Sequence, residues 1–73
     1  MKEEIRQNGK MLLSSEDGVS IPMIFNNLTG RNFSGSKCKD YLATVSKKFG
    51  VSVGKIELYR DGVQTETATI PEF

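Results

Sequence analysis

Few side chains in this 73-residue sequence are equipped for chemistry at neutral pH. There is one cysteine, Cys38, and no histidine. Histidine is the side chain that most often serves as general base near pH 7, and a thiol nucleophile needs such a base beside it. A lysine or carboxylate can substitute, but no spacing in the chain points one at Cys38. The acids form no working pair either. Glu16 and Asp17 precede Gly18 and read as a turn, while Glu3 and Glu4 are neighbours on an expected strand and point to opposite faces. One Cys with carboxylates does not match the Cys/His ligand sets that hold zinc. Gly50-Val51-Ser52-Val53-Gly54-Lys55 imitates a phosphate loop. It has three residues between its glycines instead of four, and Ile56 where Ser or Thr holds magnesium. It also leads into a strand, so no helix N-terminus faces a phosphate. The expectation is a protein that is not an enzyme and carries no cofactor or metal.

What remains is charge and aromatic placement. The net charge is +1, unevenly spread: −1 over residues 1–30, +5 over 31–60 and −3 over 61–73. Lys37, Lys39, Lys47 and Lys48 crowd the middle segment, with Lys55 and Arg60 beyond them. Such a segment is either an electrostatic footprint for an anionic partner or the solvated face of a helix and strand.

The elements that position these residues follow from turn chemistry and periodicity. Asn8-Gly9 suits a two-residue hairpin turn, in which both central residues need positive φ. It places Ile5 opposite Leu12 and Arg6 opposite Met11. Val19, Ile21, Met23 and Phe25 recur at period two, which predicts a strand over about 19–26. Pro22 lies in the opposite phase and cannot donate a ladder hydrogen bond, so that strand is either an edge or interrupted there. Asn26 to Gly30 reads as a turn into a short extended piece around Asn32-Phe33. Ser34 or Ser36 then caps a helix over about 36–49. Its Cys38, Leu42, Val45 and Phe49 share one face, and Gly50 stops it. Asp61-Gly62 turns a second hairpin over 55–69, pairing Arg60 with Val63, Tyr59 with Gln64, Leu58 with Thr65 and Ile56 with Thr67. Ile56, Leu58 and Val63 then face the core, and Tyr59 points outward with Lys55 and Glu57.

These elements make one small α+β domain over 1–73, a mostly antiparallel sheet packed on one helix. A core of this size supplies about 3–5 kcal/mol of net stability. A lone cysteine excludes a disulfide scaffold, and no run approaches the ~20 apolar residues of a membrane helix. Met1-Lys2-Glu3-Glu4-Ile5 is not an apolar signal segment. The expected setting is the cytoplasm.

Two stretches resemble the ubiquitin-like, β-grasp family. Phe25-Asn26-Asn27-Leu28-Thr29-Gly30-Arg31 is similar to that family's first hairpin turn, a Leu-Thr-Gly followed by a basic residue. Gly50-Val51, Ile56, Leu58, Tyr59 and Gly62 resemble the run from the helix-ending Gly through the third strand to the next turn. The resemblance covers about residues 21–64. It implies a sheet on one helix used as a protein-recognition surface, with Leu28 and Tyr59 in an exposed apolar patch. About 22 residues precede the matching first strand, and the chain after Gln64 is too short for the family's last strand. Either the N-terminal hairpin fills that slot, giving a rearranged β-grasp, or the match is accidental. The terminal Gly-Gly of conjugated members is replaced by Ile70-Pro71-Glu72-Phe73, so a transferable modifier is not implied.

The leading expectation is a protein-interaction module, a small adaptor or inhibitor of the kind that phages and mobile elements also encode. It binds a larger protein through Leu28, Tyr59, Lys55 and Arg60. The alternative is a nucleic-acid-binding domain using Lys37, Lys39, Lys47 and Lys48, which the scarcity of exposed aromatics disfavours. A homodimer through strand edges is a third reading.

Overall fold

The computed structural model describes residues 2–32 and 36–72. The expected Ser34 cap and the extended piece at Phe33 lie outside the described residues. Strands β1 (Glu3–Gln7) and β2 (Lys10–Ser14) form the first hairpin, with Asn8 at φ 55° and Gly9 at φ 77° as a two-residue turn requires. Arg6 stands opposite Met11 as expected, but the register then slips and Ile5 meets Leu13 instead of Leu12. The extra residue turns Leu13 into the core, where it is fully buried, and leaves Leu12 at its margin. A 3-10 turn, Ser15–Asp17, ends the hairpin through a capping box. The Ser14 hydroxyl accepts from the Glu16 N–H, and the Asp17 carboxylate accepts from the Ser14 N–H at 2.9 Å.

The segment expected as a strand over 19–26 is a helix, α1 (Ile21–Leu28). Pro22 sits in its first turn, where a missing N–H costs nothing. Ile21, Ile24, Phe25 and Leu28 are its buried apolar residues, at helical spacing, while Met23 is 53% exposed. The turn expected over Asn26–Gly30 is the end of this helix. Gly30 takes φ 80° and donates to the Asn27 carbonyl, Arg31 N–H donates to the Asn26 carbonyl at 3.0 Å, and the Thr29 hydroxyl donates to Phe25 O at 2.8 Å. This is the Schellman pattern, in which the chain past the cap folds back onto the last carbonyls.

Helix α2 (Ser36–Phe49) occupies the expected span. Cys38 and Val45 are buried, Leu42 and Phe49 are partly so, and Gly50 follows at φ 79°. Val45→Ala removes two methyl groups from this seam and lowers the unfolding free energy by about 1–3 kcal/mol in urea titration.

Strands β3 (Gly54–Arg60) and β4 (Val63–Ile70) make the last hairpin, and the sheet order is β2-β1-β3-β4, antiparallel throughout. The pairs Arg60–Val63 and Tyr59–Gln64 are as the Asp61-Gly62 turn dictates. A register shift then sets Leu58 opposite Glu66 rather than Thr65, and Ile56 opposite Ala68 rather than Thr67. Val63, expected in the core, is 64% exposed, because it lies at the hairpin tip opposite the exposed Arg60. Ile5, Leu13, Ile56, Leu58 and Ile70 meet Ile21, Ile24, Phe25, Leu28, Val45 and Val51 in a single core cluster. Both helices therefore cover one face of the sheet. The protein is α+β, with two helices where the sequence suggested one. Among the described residues no helix is long and apolar enough to cross a membrane.

Candidate functional site

Because side chains alternate along a strand, the face turned away from the helices carries Glu4 and Arg6 from β1, Met11 from β2, Lys55, Glu57 and Tyr59 from β3, and Gln64 from β4. Tyr59 is outward, as its pairing with Gln64 requires, and half-buried. The Arg6 guanidinium stacks on the Tyr59 ring, 3.9 Å from its centroid, close enough for a favourable cation–π contact. Arg6 Nη2 also donates to Glu4 Oε1 at 3.2 Å, and Glu4 is itself buried. The Tyr59 hydroxyl donates to Gln64 Oε1 at 3.3 Å. The ring is thus held from two sides. Arg6 Nε is buried, and among the described residues nothing accepts its hydrogen bond. Met11, opposite Arg6 and 47% exposed, extends the platform toward β2.

The expected site residues do not gather in one place. Leu28 is fully buried in the α1 seam of the core and offers no surface to a partner. Its apolar side chain answers to helix packing, where the sequence suggested an exposed turn. Arg60 emerges on the opposite side of the sheet from Tyr59, where its Nε donates to Glu3 Oε2 at 3.0 Å. Lys55 shares the face with Tyr59 but stands four residues along β3, about 13 Å away. The arginine that touches Tyr59 is Arg6. It escapes a search by sequence neighbourhood because β1 and β3 are joined only in the folded sheet, Glu4 facing Tyr59 and Arg6 facing Glu57. Its signal was the Arg6–Met11 pairing, which set both on one face of the first hairpin.

The four lysines considered for anion binding are all exposed on α2. At 100° per residue Lys39, Lys47, Lys37 and Lys48 spread over about 180° of the helix surface, so they do not converge on one ligand. A shallow hollow of about 440 Å³ on the same helix is lined by Lys37, Asp40, Tyr41 and Thr44, one base against one acid. No group of three or more metal-ligating residues occurs among the described residues.

The family model of a domain of unknown function, DUF7688, matches residues 2–71, nearly the whole chain. No curated protein and no solved structure matches it.

Proposed function

We propose that this chain, which belongs to the DUF7688 family, is a non-catalytic protein-binding module working in the cytoplasm, and that the open sheet face is its binding surface. One observation carries this reading: both helices pack on one side of the sheet, and the uncovered side presents Tyr59 held rigidly between Arg6 and Gln64. Tyr, Arg and Met are the types enriched at interface centres. A ring already fixed in place loses little further freedom when a partner covers it. Glu57 and Lys55 supply a charged rim of both signs, which suits a protein surface better than a polyanion.

The test compares retention of partners by immobilised protein, with and without nuclease. Tyr59→Ala weakens the nuclease-resistant partner at least about tenfold, as loss of a central aromatic does. Met23→Ala, at a more exposed apolar site on α1, leaves retention unchanged. Binding that Tyr59→Ala does not alter, or that disappears with nuclease, overturns the reading.

A further inference from the structure

We infer that β4 is a self-complementary edge through which two copies of this chain pair antiparallel into one continuous eight-stranded sheet. The two edges of the sheet are unlike. β2 has five residues, carries Lys10, is broken by the register shift at Ile5–Arg6 and runs straight into the capped 3-10 turn. Those are features that keep an edge from pairing with another chain. β4 is the longest strand, at eight residues, and among the described residues no strand lies beyond it. It contains no proline and no lysine. Its single charge, Glu66, is engaged by Arg31 of its own chain. Its register shift falls near the start of the strand, between the pairs at Tyr59–Gln64 and Leu58–Glu66, so Glu66–Ile70 is left regular.

The sequence of β4 selects a second copy as the occupant. With the two-fold axis at Thr67, Thr67 meets its own equivalent, Thr65 falls opposite Thr69, and Glu66 falls opposite Ala68. No like charges meet, and threonine pairs across strands are favourable neighbours. An axis perpendicular to the sheet keeps both helical layers on one side. The dimer therefore doubles the open face and sets the two Tyr59 rings on the order of 20 Å apart, from strand spacing and rise. The inference stands apart from the proposed use of that face, since pairing is read without any partner present.

Pairing by strand edges buries a modest area and belongs to the weaker class of interfaces. Sedimentation equilibrium is therefore run from about 1 μM to 1 mM. The wild-type mass is expected to rise from 8.1 kDa toward twice that value. Thr67→Lys, at an exposed position, is expected to keep native circular dichroism and remain at 8.1 kDa, because it sets two ammonium groups face to face. Under mild oxidation Thr67→Cys is expected to cross-link as a dimer, since residues directly opposed across antiparallel strands lie about 4.5–5.5 Å apart at Cα, within disulfide range. Met23→Cys, exposed on α1, is the control, and the native Cys38 is too buried to compete. A wild-type chain that stays monomeric throughout, a Thr67→Lys variant that dimerises like the wild type, or a Thr67→Cys variant that cross-links no faster than Met23→Cys each overturns the inference.

Discussion

Phe25→Ala leaves the protein largely unfolded at 25 °C, while Met23→Ala leaves it as stable as the wild type within about 0.5 kcal/mol. Phe25 is the largest fully buried side chain, and it lies where α1 meets the sheet core. Truncating a buried phenylalanine costs about 3–5 kcal/mol through lost transfer energy and the cavity left behind. A domain of this size has about that much stability in total, so one truncation is enough. Met23, two positions away, is 53% exposed. The pair of substitutions reports directly on backbone conformation. A strand over 19–26 would bury Met23 and Phe25 on one face and make both changes costly, whereas a helix separates them by about 200°. Circular dichroism with urea titration of the two variants checks the result. Equal destabilisation would mean that the segment is extended.

Gln7→Glu destabilises the fold by about 3 kcal/mol or more at pH 7, and less at pH 4. Gln7 is buried at the end of β1 and fastens the segment between α2 and β3 with both halves of its amide. Its Nε2 donates to Ser52 O at 2.8 Å and to Lys55 O at 3.4 Å, and its Oε1 accepts from the Ser52 N–H at 3.1 Å and the Ser52 hydroxyl at 3.2 Å. A carboxylate keeps the accepting half but turns its other oxygen onto two carbonyls, leaving acceptors facing acceptors in a buried site. That costs more than the about 1–3 kcal/mol of an ordinary buried unsatisfied group, because the new group is charged. The folded state disfavours the ionised form, so the introduced carboxyl has a raised pKa in the fold relative to about 4.3 unfolded. The folded protein then binds the extra proton, and stability falls as pH rises above about 4.3. Urea midpoints of the variant relative to wild type across pH 4–7 check the sign. A penalty that does not change with pH would mean that the carboxylate escapes to water.

Local backbone demands were the most legible part of the sequence. Asn8-Gly9 and Asp61-Gly62 adopt the positive-φ turns their types require, because that requirement depends on two residues and nothing distant. The α2 stripe was legible for a similar reason, four apolar residues at one period. The segment around Pro22 was not. Ile21 and Phe25 fit both a period of two and a period of 3.6, so Val19 and Met23 favoured one reading while Ile24 and Leu28 favoured the other. Packing decided, since only the helix buries Ile24 and Leu28 together with Phe25. Leu28-Thr29-Gly30-Arg31 carried the same ambiguity, because a glycine with positive φ serves a helix end as well as a hairpin turn. The two register shifts were also beyond reach. Each depends on which side chain the core accepts, Leu13 over Leu12 and Ala68 over Thr67, and that is settled only once the helices are in place. At the candidate site, Tyr59 was found from its own hairpin, whereas Arg6 required knowing that the first strand lies beside the third.

The place of β1 in the middle of the sheet also governs the order in which the protein can fold. Its outer neighbour, β2, follows it at once, but its inner neighbour is β3, and Ile5 pairs with Leu58 across most of the chain. During synthesis the first hairpin emerges early with the inward side chains Ile5 and Leu13 uncovered, and it must wait for both helices and then β3 before its second edge is satisfied. Long-range pairings of this kind slow folding, because the loop must close before any contact offsets its entropy. Translation and folding are therefore coupled late, and the nascent chain carries an open strand edge until β3 has left the ribosome.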